Sequence, residues 1–302
     1  MSQLTVSVII PSKDRLAGIE RILNNLSTQD YPSALIEIIL IDDGSTSPYI
    51  FSQNNLQIIR HQESHGAQQS RNEGLQIATG DIAFIMDDDI ELIGNSFISK
   101  AVAVYENQPQ VAALFSKKID VIEKNGQILH HEFSTSKLTF YSGELLNKIM
   151  PSGPYTWGHG PFLSARRDII LKIGGYDGIY GLNGGHSFRE ESDVYARIVA
   201  AGHLVWYLSE IEIHHHVIAT GGHGSDIGKR LFWIAHNHMI FIKRHIPLWQ
   251  LKGIGFIFDI LRYSWHQGKF IHMPSMIRGY FAGWANALRD QGPGKNKWLT
   301  NH

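Results

Sequence analysis

The 302-residue chain contains no cysteine. A disulfide framework, a thiolate zinc site and a cysteine nucleophile are therefore excluded, and any metal must be held by carboxylates and imidazoles. Long hydrophobic runs are also missing. The best candidate, residues 253–260, contains Asp259 and falls far short of the roughly 18 apolar residues that a membrane-spanning helix requires. The N-terminus opens directly into the strand-like Val6-Ser7-Val8-Ile9-Ile10-Pro11, with no basic segment leading into an apolar stretch, so no signal peptide is expected. Neither G-x-G-x-x-G nor G-x-x-x-x-G-K-[ST] follows a strand-like run, which argues against dehydrogenase and P-loop readings. Net charge is nearly absent too, at −1, and at face value that speaks against nucleic acid or a membrane surface as partner.

The small net charge is a cancellation. Residues 1–227 hold 16 basic and 26 acidic residues, whereas residues 228–302 hold 11 basic residues against only Asp259 and Asp290. The second segment also carries five of the seven tryptophans: Trp233, Trp249, Trp265, Trp284 and Trp298. The chain therefore divides into an acidic body, 1–227, and a basic, aromatic-rich helical extension, 228–302, punctuated by Pro247 and Pro274. Cations interleaved with aromatics suit a membrane interface, where the cations meet anionic headgroups and the rings lie at the polar boundary. Packing of the same residues onto the acidic body is the alternative. Nucleic acid would use similar ingredients, but it is not expected, because the body offers a different polar ligand site.

Within the body, strand-like runs alternate with helical patterns. Strands are expected at 6–10, 36–41, 58–60, 82–86 and 111–115, with helices at 19–26, 67–78 and 97–105 between them. This rhythm implies an α/β fold with a mixed, mostly parallel sheet flanked by helices, whose ligands lie beyond the carboxyl ends of the strands. Two acidic groups stand at such ends. Asp42-Asp43-Gly44-Ser45-Thr46 is either a capped turn or a ligand loop. Asp87-Asp88-Asp89 is more pointed: three adjacent carboxylates repel one another unless a cation is present, and oxygen clusters of this kind suit Mg²⁺ or Mn²⁺ shared with a diphosphate.

Val6-Ser7-Val8-Ile9-Ile10-Pro11-Ser12, Ile41-Asp42-Asp43-Gly44-Ser45-Thr46, Arg71-Asn72-Glu73-Gly74 and Gly80 to Asp89, in this order and spacing, resemble the glycosyltransferases of family 2, which have the GT-A fold. Ile173-Gly174-Gly175-Tyr176-Asp177 is similar to the family's G-G-[FY]-D segment, and Arg189-Glu190-Glu191-Ser192-Asp193 to its E-D-x-D segment, so the resemblance covers about residues 4–220. It implies a nucleoside-diphosphate sugar donor lying across the strand ends. Pro11 and Asp14 would border the base pocket, and Asp43 would bind base or ribose. Arg71 would contact base or diphosphate, an ion pair with Asp43 or a neighbour being the alternative.

The same resemblance makes Asp87-Asp88-Asp89 the D-x-D element, with Asp87 and Asp89 as its two aspartates, Asp88 beside the donor and Asp89 the direct ligand of Mg²⁺ or Mn²⁺. Glu191 falls where the family's catalytic base stands, although the family has aspartate there; Glu190 is the other candidate, and helix capping would account for either. His214-His215-His216 ends a β-like run. Alternation sets Ile211, Ile213, His215 and Val217 on one face, making His215 either a metal or diphosphate ligand or a core residue. Trp157 and His159, in a turn-rich segment before 162–165, would face the donor sugar and acceptor or pack within their loop, and His223 sits in a glycine-rich segment suited to closing over the diphosphate.

The reading that follows is a metal-dependent, inverting glycosyltransferase acting on a glycan or lipid-linked acceptor. Its expected place is the cytoplasm, peripheral on the inner face of the membrane. A catalytically silent sugar-nucleotide or glycan-binding protein is the alternative.

Overall fold

The computed structural model describes residues 3–124, 127–132, 152–155, 158, 160–184, 188–217, 226–266, 270–290 and 292. Trp157, His159 and His223 lie outside them. The expected alternation is present: β1 (Val6–Ser12), α1 (Leu16–Ser27), β2 (Ile36–Asp42), β3 (Leu56–Arg60), α2 (Ala67–Ile77), β4 (Ile82–Met86), β5 (Ile90–Ile93), α3 (Phe97–Asn107) and β6 (Val111–Lys124). Then follow β7 (Gln127–Glu132), β8 (Gly153–Tyr155), β9 (Phe162–Arg166), α4 (Arg167–Lys172), α5 (Glu190–Ala200) and β10 (Leu204–Val217). The extension forms α6 (Ile227–His245), α7 (Trp249–His266) and α8 (Met273–Arg289).

The strands form one sheet in the order β3-β2-β1-β4-β9-β6-β10-β5, with β7 added to β6 and β8 to β10. The half built from βα units, β3-β2-β1-β4, is parallel, and β9 is antiparallel to both β4 and β6. Because β1, β2 and β4 run the same way, their carboxyl ends deliver Ser12, Asp42 and Met86 to one edge, and the acidic loops follow there. Apolar residues line both sheet faces. Ile19, Ile22, Leu23 and Leu26 of α1 join one core with Val8, Ile10 and Phe84, while Ile9, Ile41 and Ile85 belong to the other with Val194 and Ile198 of α5. Strands covered on both faces read as near-continuous apolar runs, which is why 6–10, 36–41 and 82–86, interrupted only at Ser7 and Glu37, are legible.

The extension is attached to the body through α6. Arg244 pairs with Asp177 at 2.7 Å and with Asp290 at 2.6 Å, and His245 meets Asp193 of α5 at 2.7 Å. Asn237 donates to the carbonyls of Tyr180 and Phe188, and Ile240 and Phe241 pack on Tyr180. Burial by itself raises the Asp193 carboxyl, but the hydrogen bond from His245 and the charges of Arg197 and Arg244 outweigh it and hold the group at about 2. Packing on the body, one of the two expectations for the extension, therefore describes α6. Helix α8 lies directly on α6: a Cβ on Gly279 would stand 2.1 Å from the Phe232 carbonyl oxygen, an approach only glycine permits. Among the described residues no helix is long and apolar enough to cross a membrane.

Candidate active site

The three consecutive aspartates after β4 turn to three different partners. Asp87 turns to the guanidinium of Arg71, while its backbone N–H donates to the Pro161 carbonyl at 3.0 Å. Asp88 turns back toward β1 and accepts from Ser12 Oγ at 2.7 Å. Burial pushes the Asp88 carboxyl up to about 7; the Ser12 bond opposes this and the charge of Asp89 adds to it. Asp88 thus faces the protein rather than the open end of the strands, which removes the direct donor contact expected of it in this conformation. Asp89 faces β10, where its Oδ1 stands 3.4 Å from His215 Nε2 and makes no hydrogen bond although buried.

His215 is held from behind. Strands β6 and β10 pair in parallel with His215 opposite Asp120, and Asp120 Oδ1 takes the Nδ1–H at 2.7 Å. Lys118, on the same face of β6 two residues earlier, reaches Asp120 at 2.8 Å and is itself buried. Burial raises the Asp120 carboxyl, but His215 and Lys118 more than reverse that and bring it down to about 2. The arrangement fixes Nε2 as the nitrogen aimed at Asp89, the carboxylate–histidine pairing that orients metal-binding imidazoles. The ring lies between Asp120 and Asp89 and is one-fifth exposed, not buried in the core, while its neighbours diverge: His214 meets Glu212 and His216 meets Glu91, each at 3.0 Å.

Asp89 and His215 are two groups of the expected metal set of Asp87, Asp89 and His215. The third, Asp87, is occupied by Arg71, and among the described residues no three acidic or imidazole groups converge as a metal cage. An orphaned buried carboxylate oxygen beside an oriented imidazole nitrogen nonetheless fits a divalent cation that completes its shell with substrate phosphates, since such ions commonly take only one or two side chains from the protein.

Arg71, projecting from α2, is the hub of the site. It is 4% exposed, bonds Asp87, and lies 3.3 Å from Glu191 Oε1 and 3.6 Å from Glu190 Oε1, with its guanidinium 5.0 Å above the Tyr176 ring. The ion-pair alternative is what the structure contains, with Asp87 and Glu191 as partners in place of Asp43. Burial opposes the charge on Arg71, yet Asp87 and Glu191 raise its pKa well above the ordinary value. The other members of its motif are equally engaged: Asn72 bonds the backbone of Tyr176, and Glu73 bonds His61.

Glu190 and Glu191 occupy the first turn of α5, as the sequence suggests. Burial, then the charge of Glu191, raises Glu190 to about 8. Glu191 is the more accessible of the two, with a side chain 14% exposed against 6% for Glu190. Burial raises its carboxyl as well, and Arg71 opposes the rise. The glutamate fits because of Gly160: a Cβ there would lie 2.8 Å from Glu191 Cδ.

Asp43 behaves differently from expectation. Its Oδ1 accepts from His61 Nδ1 and the His65 N–H, and its Oδ2 from Ser64 Oγ and the Gly66 N–H, at 2.6–2.9 Å, so all four acceptor positions are filled by its own chain. In this conformation Asp43 shapes the 61–66 loop that leads into α2, and contact with a base or ribose would require one of these partners to leave. Pro11 is buried at the end of β1, and the exposed Asp14 accepts from the Thr46 N–H at 2.7 Å, tying the loop after β1 to the loop after β2. Sequence reasoning did not single out Lys118, Asp120 or the stacking role of Tyr176. For the first two the available signal was their two-residue spacing beyond an apolar strand.

The model of glycosyl transferase family 2 matches residues 7–173, more than half of the chain, and the chain belongs to that family. It is 26% identical to an uncharacterized glycosyltransferase of Haemophilus influenzae over 56% of this chain and 55% of the relative, so it spans about half the length of that relative. A glucosyl-dolichyl phosphate glucuronosyltransferase of Haloferax volcanii is 23% identical over 79% of this chain and 77% of its own. Among solved structures, Staphylococcus aureus TarS 1–349 in complex with UDP-GlcNAc superposes with a TM-score of 0.62 at 16% identity over 93% of this chain and 81% of that one. The mannosyltransferase PcManGT of Pyrobaculum calidifontis, in complex with GDP-Man and Mn²⁺, gives 0.54 at 18% identity over 99% and 79%. The fold is that of the GT-A glycosyltransferases.

Proposed function

We propose that this enzyme moves a sugar from a nucleoside-diphosphate donor to an acceptor hydroxyl with inversion at the anomeric carbon. The observation that carries the reading is the convergence on Arg71 of Asp87, from the loop after β4, and of the glutamates of α5. The diphosphate end and the proton-accepting end of the reaction are thereby held in one ion-pair cluster. Glu191 takes the acceptor hydroxyl proton as that oxygen bonds the anomeric carbon, and the bond to the diphosphate oxygen breaks on the opposite side, its electron pair leaving with the nucleoside diphosphate. Glu190, more deeply buried and raised to about 8, holds its own proton at neutral pH. Pro11 and Asp14 border the donor base, and Asp43 keeps the adjoining loop in shape.

Asp89 and His215 would hold a divalent cation, which when bound offsets negative charge on the diphosphate leaving group. The imidazole in this set favours Mn²⁺ over Mg²⁺, which prefers an all-oxygen shell. A lipid-linked glycan is the acceptor class favoured, supported by the dolichyl phosphate in the name of the Haloferax relative, and it puts the protein on the cytoplasmic side, at the inner face of a membrane.

The test is release of nucleoside diphosphate from a panel of UDP-, GDP- and dTDP-sugars in Mn²⁺. Release should stop in EDTA and in Asp89→Ala, and full activity in either removes the metal from the reading. Loss of the Asp120 charge frees the imidazole, so Asp120→Asn should weaken Mn²⁺ binding by roughly 10–100-fold. Calorimetric titration of Mn²⁺ into the full chain checks this without reference to turnover.

A further inference from the structure

Helix α7 is apolar on two sides. Phe256 and Ile260 are buried against Met239 of α6 and Tyr280 of α8. Leu251, Ile254, Phe258 and Leu261, spaced three, four and three residues apart, are 66%, 51%, 64% and 43% exposed. That spacing lays the four along one stripe of the helix. Leu248, just before the helix, and Ile271, shortly after it, are 71% and 84% exposed. Scattered surface leucines need no explanation, but a continuous stripe bounded by exposed apolar residues at both ends marks a surface that is covered when the protein works.

The charges around the stripe decide what covers it. Lys252 on α7, Lys229 and Arg230 on α6, and Arg278 and Arg289 on α8 are exposed, and among the described residues none of the five pairs with a carboxylate. By contrast Arg244, the buried cation of the extension, is consumed by Asp177 and Asp290. Exposed apolar side chains with exposed cations on the same group of helices are the combination that enters the boundary between headgroups and acyl chains. A second copy of this chain meeting the same face would set two strongly cationic segments against each other, which disfavours a symmetric dimer there.

We propose that the Leu251–Leu261 stripe of α7 docks the enzyme on an anionic lipid bilayer. The stripe lies at the boundary of headgroups and acyl chains, and Lys252, Arg278 and their neighbours meet lipid phosphates. Arg244 and His245 of α6 hold Asp177 and Asp193, and Asp193 lies two residues from Glu191 on α5, so a docked extension keeps the site at a set height above the lipid. That this height serves a lipid-borne acceptor rests on the proposed transfer reaction; the docking itself does not.

The experiment is cosedimentation of the full chain with vesicles of phosphatidylglycerol and phosphatidylcholine, or of phosphatidylcholine alone. The wild type should pellet with the anionic vesicles and be released by high salt. Leu251→Ser with Phe258→Ser should lower the bound-to-free ratio on the order of tenfold with an unchanged melting temperature, since both side chains are exposed. Lys252→Gln with Arg278→Gln should weaken binding and flatten its salt dependence. No binding to anionic vesicles at low salt, or wild-type binding by the serine variant, overturns the proposal. So does a concentration-dependent dimer that the serine variant dissolves. Vesicle binding without sugar transfer would instead count against the proposed reaction, and transfer to a soluble acceptor without vesicle binding would count against the docking alone.

Discussion

Glu191→Gln should abolish sugar transfer while donor binding persists. The amide keeps the shape and one acceptor oxygen of the carboxylate but cannot take a proton, and general-base catalysis of this type contributes roughly 10²–10⁴-fold. The loss should appear in kcat, and calorimetric affinity for the nucleoside diphosphate should change little, because no step before proton transfer uses the missing charge. The pH dependence carries a sign as well. Burial raises the Glu191 carboxyl above its ordinary value, so its ionised, working form is reached at higher pH than for a free glutamate, and the acid limb of the activity profile should be displaced upward. Glu190→Gln, which replaces a carboxyl already protonated at neutral pH, should reduce transfer much less. Equal loss in both variants, or full transfer by Glu191→Gln, would move the base elsewhere.

Arg71→Met should cost stability on the order of 3–5 kcal/mol, the range found when one partner of a buried ion pair is removed. Methionine fills much of the volume over Tyr176, so what is lost is the charge that Asp87 and Glu191 share. Without it the Glu191 carboxyl, already raised by burial, loses the charge that opposes the rise and is favoured further in its neutral form. The stability it contributes is then present at low pH and lost as pH climbs through the raised value, so the deficit against wild type should shrink on acidification. Urea denaturation at neutral pH and near pH 5 checks both statements. An Arg71→Met protein as stable as wild type at neutral pH would show that the cluster is not held together by its cation.

Much of this architecture is legible in the sequence where burial is two-sided. The runs at 6–10, 36–41 and 82–86 are apolar except for Ser7 and Glu37 because both faces of β1, β2 and β4 are covered, and α1 shows its buried stripe in Ile19, Ile22, Leu23 and Leu26. The expected strands at 111–115 and 211–217 capture five and seven residues of two 14-residue strands. The continuation of β6, Ser116-Lys117-Lys118-Ile119-Asp120, reads as surface because the residues on it that back His215 are a lysine, which is buried, and an aspartate, which is half-buried. Strand β5 is four residues following three aspartates and gives no periodic signal of its own. In the site, the residue types and their loops were legible, but the partners were not. Arg71 meets glutamates more than a hundred positions away, and Asp43 is saturated by a loop whose path no local pattern fixes.

The bonds from Arg244 and His245 to Asp177 and Asp193 also bear on where the enzyme ends as a working unit. By composition the natural cut falls between residues 227 and 228, yet a chain severed there would leave Asp177 without the cation it pairs with, Asp193 with Arg197 as its remaining partner cation, and Tyr180 uncovered beside the helix that presents Glu191. A piece that keeps these contacts extends through α6 to Asp290, which closes on Arg244 from the far end of α8. The basic extension is therefore as much a wall of the body as an addition to it.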